Sequence, residues 1–562
     1  MGHDHTLLRS SVRCPLPSMS IRLAVALLLM GVVAREEQTV LAQTGTWQVL
    51  VKNSGLSSMH TAVTHMNTVV FLERTNQGAT SLLLPDGKCR NDPSDQYLKK
   101  DCYAHSSVMN LANNAIRPLM ILTDTQCSAG QFMADGVLQQ IGGNFNGIRG
   151  VRTFTPCPAT GKCDWVETAT KTQVDRWYST TQLLPDQRVI VIGGRTVPSY
   201  EFIPAKGLKV QPLQFLKDTL TTDKNGQADN WYPYVHLLPD GTLFIFANTK
   251  SIKLNFVTNQ VVKEYPILPG GPRNYPSGGS SVMLPLSFVD GFKSVEVLVC
   301  GGAAAGAFTI AEGRTKFLAC QQTCGRMRVT DAAPKWSVET MPVKRCMGDM
   351  LLLPDQNVLI INGAEFGSQS EGRATTPVLT PVLYQTYTPS GRFVTMAAST
   401  IPRMYHSTAN LLPDGRVMPA GSNSNRVHKY SKVPFPTELR LDAFSPPYLA
   451  ASQNPKRPTI TLSPGSVKLG LTFLVRFAVT DPKTVIGNVD VIINNSPFTT
   501  HSYSQGLRML KLQTTAPKAV AGGLFEVTVT APPNANVAPN AYYMCWVVNQ
   551  KTPSKAAWIR LT

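Results

Sequence analysis

A repeated phrase in this sequence carries sulfur, phenol and imidazole side chains at one and the same position. The phrase contains a Pro-Asp pair, and the position lies seven residues before the proline, or before Ala134 in a divergent copy. The residues found there are Cys127, Tyr178, Tyr232, Met347 and His406. Tyr405 stands next to His406 and adds a third phenol. If equivalent positions of the repeat meet in space, this combination of side chains indicates a copper site.

The phrase itself reads Leu-Leu-Pro-Asp-Gly and runs into an apolar segment that ends in Gly-Gly or a similar pair. Full and divergent copies are QFMADGVLQQIGG at 131–143, QLLPDQRVIVIGG at 182–194, HLLPDGTLFIFAN at 236–248, LLLPDQNVLIINGA at 351–364 and NLLPDGRVMPAGS at 410–422. Weaker copies lie at 59–73 and 280–302. Each copy predicts a β-hairpin, because Pro-Asp-Gly favours a tight turn between two extended segments.

The spacing of the copies predicts how the hairpins assemble. A single hairpin cannot bury its apolar face, so the copies must stack. Intervals of roughly 40 to 70 residues suit four-stranded propeller blades rather than a helical solenoid. The seven copies predict an all-β, seven-bladed β-propeller over residues 43–436, ending near Pro434-Phe435-Pro436. Residues 437–562 lack the phrase and alternate in short β-like runs, which predicts a separate C-terminal β-sandwich.

The N-terminus has the pattern of a signal peptide. Arg13 and Arg22 precede an apolar run from Leu23 to Val33, which is too short to span a bilayer. Small residues that suit cleavage follow near position 34 and again near position 42, so residues 1–42 are interpreted as a signal peptide. A buried N-terminal helix is the alternative. No later segment is apolar for long enough to span a membrane, so we expect a secreted, extracellular protein of the cell wall or apoplast.

Export permits disulfides, and ten of the eleven cysteines follow the signal segment. Three local spacings predict the disulfide pairs Cys89–Cys102, Cys157–Cys163 and Cys320–Cys324. The cysteines left without a predicted partner are Cys127, Cys300, Cys346 and Cys545. Asn494-Asn495-Ser496 is a glycosylation sequon, which predicts a glycan on Asn494.

The chain is basic, with 53 Lys and Arg against 35 Asp and Glu and a net charge of +18. The basic residues are scattered, so they indicate solubility or loose attraction to acidic wall polysaccharide rather than nucleic-acid binding. The sequence contains no Gly-x-Gly-x-x-Gly or Walker phrase, which argues against a nucleotide site. His60 and His65 lie in an ordinary repeat copy, and we interpret them as structural rather than as a metal pair. We also expect the protein to be a monomer.

Four segments carry a resemblance to a known family. They are Gln126-Cys127-Ser128-Ala129-Gly130, Arg176-Trp177-Tyr178-Ser179-Thr180, Arg403-Met404-Tyr405-His406-Ser407 and Thr499-Thr500-His501-Ser502. In this order they resemble the cysteine segment and the three metal-binding signatures of the galactose oxidase/glyoxal oxidase family of copper-radical oxidases. The likeness covers nearly the whole chain after the signal segment. It implies a kelch-like propeller followed by an immunoglobulin-like, early-set domain.

The resemblance implies a role for each residue of the set. Tyr178 would be a copper ligand joined to Cys127 by a thioether, and this pair would form the radical cofactor. Tyr405 would be the axial ligand and the base. His406 and His501 would supply imidazoles to the single copper, with His501 on a finger of the C-terminal domain that reaches into the propeller.

The chemistry implied by the resemblance is an oxidation by dioxygen. A radical on Tyr178 would supply one of two oxidising equivalents, so no separate organic cofactor is expected. Tyr405 would accept the substrate proton, and the dioxygen would leave as hydrogen peroxide. The implied substrates are small aldehydes of the glyoxal or methylglyoxal type, oxidised as hydrates to carboxylic acids. Tyr232 and Met347 share the inward register and are candidates for the substrate pocket.

Two departures separate the chain from galactose oxidase. The first repeat follows the signal segment almost directly, so an N-terminal carbohydrate-binding domain has no counterpart here. Arg195-Thr196-Val197 follows Gly194, with no tryptophan to match the one that shields the radical. Both favour the glyoxal oxidase type. Oxidation of primary alcohols on sugars or wall polysaccharides is one alternative, and a non-catalytic, kelch-type binding propeller is the other.

Overall fold

A computed structural model describes residues 1–2, 44–158, 160–221, 228–485 and 487–562. Apart from its first two residues, the signal peptide predicted for residues 1–42 lies outside these ranges. Within them, no helix combines the length and the apolar character needed to cross a membrane. The predicted all-β architecture is confirmed, because strands make up nearly all of the regular structure.

Seven four-stranded antiparallel blades form a propeller in the described part of the chain. The first strands of most neighbouring blades contact one another, so they line the propeller axis. In chain order the strands are His60–Thr64, Thr68–Leu72, Ser106–Asn110 and Ile116–Leu119 in blade 1; Ala129–Phe132, Leu138–Ile141, Gly150–Phe154 and Trp165–Lys171 in blade 2; Thr180–Leu183, Val189–Ile192, Ser199–Ile203 and Gln211–Pro212 in blade 3; Tyr234–Leu237, Leu243–Ala247, Lys250–Asn255 and Gln260–Glu264 in blade 4; Gly279–Met283, Glu296–Gly301, Thr323–Arg328 and Ser337–Thr340 in blade 5; Asp349–Leu352, Val358–Ile361, Val382–Tyr384 and Phe393–Thr395 in blade 6; Ser407–Leu411, Val417–Gly421 and Leu441–Ser445 in blade 7.

Blade 7 joins the two ends of the propeller. Its outermost strand is the N-terminal strand Thr46–Val51, which pairs antiparallel with Leu441–Ser445. The predicted domain boundary at residue 436 therefore falls too early. Pro434-Phe435-Pro436 lies in the long connection between the second and third strands of this blade, and the propeller ends after Ser445. The proline-rich segment is a loop inside blade 7 and not a link between domains. Composition alone does not separate the two, because long loops and domain linkers contain the same residue types.

The C-terminal domain is a β-sandwich, as predicted. Its strands are Thr459–Leu462, Ser466–Val467, Thr472–Ala478, Asp490–Asn495, Met509–Thr514, Lys518–Val520, Leu524–Thr530, Tyr542–Asn549, Thr552–Pro553 and Ala557–Leu561. Met509–Thr514 pairs with Asp490–Asn495 on one side and with Leu524–Thr530 on the other, which links the two layers. The inner faces of both layers share one apolar core, and that core continues into the propeller.

Short elements connect the blades and the domains. The two-stranded ladders are Arg90–Asn91 with Lys100–Asp101, Ala364–Gly367 with Ala374–Pro377, and Phe498–Thr500 with Tyr503–Gln505. Leu286–Ser287 extends from blade 5 to pair with Met509–Thr514. The α-helical turns are Gln214–Asp218 and Ala307–Ile310. The 3-10 turns are Pro85–Gly87, Phe145–Gly147, Phe288–Asp290, Ala311–Gly313, Pro447–Leu449, Ala451–Lys456, Pro482–Thr484 and Ala521–Gly523.

Five buried arginines bond to the ends of the second strands of the blades. In each case Nη1 donates a hydrogen bond to a backbone carbonyl near the end of a second blade strand. The arginines are Arg152, Arg176, Arg273, Arg345 and Arg403. A buried guanidinium needs hydrogen-bond partners, and these bonds tie the segments before four inner strands, and the third strand of blade 2 through Arg152, to the ends of the second blade strands.

The disulfides agree with two of the three predicted pairs. Cys89–Cys102 and Cys157–Cys163 are formed. The predicted Cys320–Cys324 pair is wrong, because the structure joins Cys300 to Cys324 and Cys320 to Cys346. Cys300 and Cys324 are directly opposite each other on neighbouring strands of blade 5, with their Cα atoms 4.0 Å apart. The pairing of these two strands brings Cys300 and Cys324 together, and the spacing of the cysteines in the sequence does not reveal it.

The predicted glycan on Asn494 is also wrong for the folded chain. Asn494 lies in the strand Asp490–Asn495 and is 1% exposed. Its Nδ2 donates to the Asn495 carbonyl at 3.1 Å, and its Oδ1 accepts from Trp546 Nε1 at 2.7 Å. A sequon needs a surface position to accept a glycan, and this one is inside the sandwich.

Candidate metal centre

Just before the inner strand of every blade stands a residue whose backbone has a left-handed, positive φ. Its φ lies between 45° and 68° in all seven cases. The residues are Ser58, Cys127, Tyr178, Tyr232, Gly278, Met347 and His406. Left-handed φ is costly for residues other than glycine, so six such positions in a ring mark a built feature of the axis. The register of the repeated phrase predicts five of these seven, and the structure adds Ser58 and Gly278.

The finger, residues 498–505, carries His501 from the C-terminal domain into this ring. Its strand Phe498–Thr500 pairs antiparallel with the inner strand of blade 1. The finger is fixed on the far side by Tyr503, whose hydroxyl donates to the Val235 carbonyl at 2.9 Å and accepts from the Val235 N–H at 2.8 Å. Gln505 Oε1 accepts from the Thr181 N–H at 2.9 Å. These bonds to three blades hold the tip of the finger on the axis.

The structure brings the five predicted residues into one buried cluster. Possible ligand atoms of Cys127, His406 and His501 all lie within 4.8 Å of one another. Cys127 Sγ is 3.2 Å from His501 Nε2. The Tyr405 ring stacks on His406 with centroids 3.8 Å apart, and the Tyr178 ring centroid lies 5.9 Å from that of His501. All five side chains are at most 5% exposed.

The hydrogen bonds of Thr500 fix the tautomer of His501. The Thr500 hydroxyl donates to the Met59 carbonyl at 3.1 Å, so its oxygen accepts from His501 Nδ1–H at 2.6 Å. Nε2 is then left with a lone pair, and it faces Cys127. A histidine that donates one ring N–H to a fixed acceptor and turns the other nitrogen inward has the arrangement of a metal ligand.

Both imidazoles are suited to hold a soft or borderline metal ion. Burial lowers the pKa of His406 and of His501 well below the ordinary value, so both rings are neutral. Nε2 of His406 is buried and has no hydrogen-bond partner among the described residues. Two neutral imidazoles, two phenols and a thiol form a donor set that fits copper.

Two of the phenols are linked by a third that the sequence did not single out. Tyr178 donates a hydrogen bond to the Tyr275 hydroxyl at 3.2 Å, and Tyr275 shares a bond of 3.1 Å with the Tyr405 hydroxyl. Burial raises the pKa of Tyr178 and Tyr405 well above the ordinary value. A bound divalent cation would favour their phenolate forms instead.

Cys127 lies against Tyr178 in the next blade. The Tyr178 N–H donates to the Cys127 carbonyl at 3.0 Å, and the Cys127 N–H donates to Met59 Sδ at 3.3 Å. Cys127 is fully buried and belongs to none of the disulfides among the described residues. Burial raises the pKa of its thiol, against the smaller effect of a side-chain hydrogen bond with Tyr178. The thiol and the phenol are therefore neighbours, as a covalent link between them would need.

Two indole rings pack against the ring of Tyr178. Trp231 stacks on it with centroids 5.0 Å apart and an interplanar angle of 28°, and Trp177 lies at 4.9 Å. The Arg195 guanidinium lies over both tryptophans, 4.9 Å from Trp177 and 5.4 Å from Trp231. No tryptophan directly follows Gly194 in the sequence. Trp231, in the segment that enters blade 4, is the indole that stacks on Tyr178 instead.

Tyr232 and Met347 lie within the cluster and are 2% exposed. The Tyr232 hydroxyl donates to the Ser128 carbonyl at 2.9 Å, and its ring centroid lies 5.0 Å from that of His501. Both residues therefore pack around the candidate ligands. Their part in binding a substrate stays a prediction.

His60 and His65 are in separate surroundings. His60 Nε2 lies 3.2 Å from the Ser128 hydroxyl, and burial lowers its pKa to about 4. His65 stacks on Tyr542 of the C-terminal domain with centroids 3.8 Å apart. The structural interpretation of these two histidines agrees with these contacts.

Sequence reasoning missed Trp231, Tyr275 and Thr500 as functional neighbours. Trp231 and Trp177 each stand one residue before an inward position, as Tyr405 does, so the register could have identified them. Tyr275 precedes Gly278 by three residues and has no equivalent in the other copies. Its place between two phenols depends on the path of the loop, which the repeat does not encode.

Comparison with known proteins places the chain among the oxidases that the motifs resemble. Residues 59–448 match the family described as Glyoxal oxidase N-terminus, and residues 457–561 match the Galactose oxidase-like, Early set domain. The chain belongs to the glyoxal oxidase family. The resemblance inferred from the four segments is thereby confirmed, together with the expectation of an oxidase.

Relatives of this glyoxal oxidase family member are similar over most of their length. Aldehyde oxidase GLOX of Vitis pseudoreticulata is 49% identical over 92% of this chain and 97% of the relative. Aldehyde oxidase GLOX1 of Arabidopsis thaliana is 39% identical over 92% of this chain and 84% of its own. A fungal alcohol oxidase solved in complex with copper shares the fold, with a TM-score of 0.70 at 19% identity over 92% of this chain and 100% of that one.

Proposed function

We propose that this protein oxidises small aldehydes, in their hydrated form, to carboxylic acids and reduces dioxygen to hydrogen peroxide. One observation carries the proposal. The five residues of the set meet in one buried cluster, and a propeller used only for binding has no need of them: Cys127, Tyr178, Tyr405, His406 and His501. The grapevine and Arabidopsis relatives are both named aldehyde oxidases, which supports aldehydes as the substrate class.

The reaction moves two electrons and two protons from the aldehyde hydrate to dioxygen. When bound, copper supplies one-electron redox chemistry next to the substrate. His406, His501, Tyr178 and Tyr405 would hold it. Tyr405 accepts the proton of a substrate hydroxyl, and Tyr178, as a phenoxyl radical, takes a hydrogen atom from the substrate carbon. One hydrate and one dioxygen thus give one carboxylic acid and one hydrogen peroxide.

The radical residue is proposed to be a thioether of Tyr178 and Cys127. Formation of the bond removes the thiol hydrogen and one ring hydrogen, and dioxygen takes up both with two electrons. The neighbouring backbones and the shared burial of the two side chains support this link. Sulfur on the ring lowers the oxidation potential of the phenol, so the radical is easier to form.

The sequence also supports a proposal about where the enzyme acts. We propose that it acts outside the cell, in the wall or apoplast, as a monomer that associates loosely with acidic polysaccharide. The excess of 53 basic over 35 acidic residues supports such an attraction.

Copper analysis and a peroxide assay test the proposed function together. The purified protein should hold about one copper per chain and release peroxide with methylglyoxal faster than with galactose. His501→Ala should lower copper affinity by at least about 100-fold, because it removes a direct ligand. His65→Ala is the matched control, since that ring stacks on Tyr542 outside the cluster. A parent protein that binds no copper would refute the proposal, and a preference for galactose would favour an alcohol oxidase.

A further inference from the structure

Three methionine side chains lie in the apolar packing around the cluster. They belong to one group of buried residues with Cys127, Tyr178 and Tyr405. Each of the three is at most 2% exposed. A methionine thioether is oxidised by peroxide to a sulfoxide. A protein that makes hydrogen peroxide at this cluster therefore carries oxidisable sulfur in the walls around it. The three methionines are Met59, Met347 and Met404.

Met59 is the methionine whose sulfur accepts a hydrogen bond from a residue of the cluster. The Cys127 N–H donates to Met59 Sδ at 3.3 Å. The Met59 carbonyl accepts from the Thr500 hydroxyl at 3.1 Å, and Thr500 in turn bonds His501 Nδ1 at 2.6 Å. Cys127 Sγ and His501 Nε2 are 3.2 Å apart. Met59 is therefore tied to both sides of this contact inside the candidate metal centre.

Burial separates Met59 from peroxide in the bulk solvent. Met59 is 0% exposed, just before the first strand of blade 1, His60–Thr64. Met66 lies seven residues later, in the turn that follows this strand, and is 37% exposed. Peroxide in solution reaches exposed sulfur first, because access controls which residue is oxidised. Peroxide made at the cluster meets buried sulfur before it leaves. The two methionines thus report two different sources of peroxide.

We propose that Met59 is a modification site through which the enzyme limits its own activity. Hydrogen peroxide formed at the cluster transfers one oxygen atom to Met59 Sδ. The sulfur gives up two electrons and becomes a sulfoxide, the O–O bond breaks, and the second oxygen leaves as water. The inference rests on the proposed function, which supplies the peroxide, and adds inactivation by the product to it.

Oxidation of Met59 changes the support of Cys127. A sulfoxide is polar and chiral, whereas the thioether is a flexible apolar group. The added oxygen needs space in a fully buried position, and the Cys127 N–H loses the sulfur as its acceptor there. A buried N–H without an acceptor is unfavourable, so one of the two segments has to shift. Cys127 is half of the proposed radical pair, and activity should fall as the sulfoxide accumulates.

Peptide mapping of the copper-loaded protein after turnover tests the proposal. Methylglyoxal and dioxygen are supplied together with catalase, which destroys peroxide once it has left the protein. When half of the activity is lost, about half of Met59 should be sulfoxide, while Met66 stays largely unoxidised. Anaerobic incubation with methylglyoxal corrects for damage by the aldehyde itself. Copper-free protein treated with dilute hydrogen peroxide should show the reverse pattern. Sulfoxide that forms first at Met347 or Met404, or inactivation without sulfoxide at Met59, would overturn the proposal.

A leucine variant tests the consequence for activity. Met59→Leu removes the sulfur and keeps a side chain of similar size. It should raise the number of turnovers completed before half of the activity is lost by about threefold or more, whatever its initial rate. Met66→Leu is the matched control and should leave that number unchanged. Equal numbers for the parent and Met59→Leu would contradict the proposal. The peptide mapping uses the parent protein alone, so it decides the question even if this variant does not fold.

An experiment without aldehyde separates this inference from the proposed function. Ascorbate reduces the bound copper and dioxygen reoxidises it, so peroxide forms at the cluster without any substrate. If the protein oxidises no aldehyde but ascorbate and dioxygen convert Met59 and spare Met66 in the presence of catalase, the proposed function fails and the modification site stands. If aldehydes are oxidised until activity is lost and Met59 remains a thioether, the modification site fails alone.

Discussion

Trp231 stacks on Tyr178, with ring centroids 5.0 Å apart and planes inclined by 28°. The two residues lie in different blades, and Trp231 is half-buried while Tyr178 is 5% exposed. The indole thus stands between the phenol and the outside of the cluster. A stacked ring excludes water from an oxidised phenol and adds dispersion contact. Trp231, in the segment that enters blade 4, thus covers a phenol ring that no residue directly after Gly194 covers with an indole.

Trp231→Leu should shorten the lifetime of the Tyr178 radical and lower kcat/KM by about tenfold, the equivalent of about 1.4 kcal/mol of lost stacking. Decay of the radical absorption after chemical oxidation measures the first effect, and peroxide release the second. Trp336→Leu serves as control, since that indole is equally half-buried but bonds the Pro266 carbonyl far from the cluster. Equal decay in both variants would show that Trp231 is only a packing residue.

Cys127→Ser should abolish the covalent link to Tyr178. Copper- and oxygen-treated parent protein should migrate anomalously fast on denaturing, reducing gels, because a thioether survives reduction and closes a loop in the chain. The serine variant should lose this shift and most peroxide production while it keeps its copper. Full activity and unchanged mobility in the variant would exclude a radical on the Cys127–Tyr178 pair.

Thr500→Val should weaken copper binding by about 10- to 100-fold, because the hydroxyl that orients His501 is removed. The substitution keeps the shape of the side chain and changes only its hydrogen bonds. Thr499→Val is the neighbouring control, since its hydroxyl accepts from Asn410 Nδ2 at 3.0 Å and makes no bond to His501. Copper titration of the metal-free protein measures both, and equal affinities would contradict the assigned tautomer.

His236 should make the fold sensitive to acid. Burial first, and then the charge of Arg508, lowers its pKa to about 3, whereas the unfolded chain titrates near 6.5. The unfolded state therefore binds more protons between these values, so stability falls as pH falls through 6.5 and levels off near 3. At pH 4 the loss is on the order of 3 kcal/mol. His236→Asn should lose less stability between pH 7 and pH 4 in urea unfolding. An unchanged pH dependence would mean that other groups control acid unfolding.

Removal of the C-terminal domain after Ser445 should yield an aggregated chain rather than a soluble propeller. One apolar core includes Val191 and Phe244 of the propeller together with Val475 and Val527 of the sandwich. Truncation would expose this surface to water, and large exposed apolar surfaces promote association. Size-exclusion chromatography of the truncated chain measures the outcome, and a monomeric, folded product would contradict it. His501→Ala is therefore a sharper test of the finger's part in copper binding than removal of the whole domain.

The sequence by itself determined the parts of this protein that are local or periodic. The Pro-Asp turns identified the blades, because a hairpin turn is written in four or five adjacent residues. The common register identified Cys127, Tyr178 and His406 as inward residues, because equivalent positions of a propeller face one axis. The motifs added Tyr405 and His501, and all five meet in the structure.

Only the tertiary structure decided what depends on contacts between distant segments. The partner of Cys324 is Cys300 because strand pairing in blade 5 places them opposite each other. Asn494 is closed to a glycan because the sandwich buries its strand. Trp231 reaches Tyr178 from another blade. Arg74 meets Glu371, 297 residues away in the sequence, because the propeller closes into a ring. None of these relationships has a period or a fixed spacing in the sequence, since each depends on which strands and loops pack together in the folded chain.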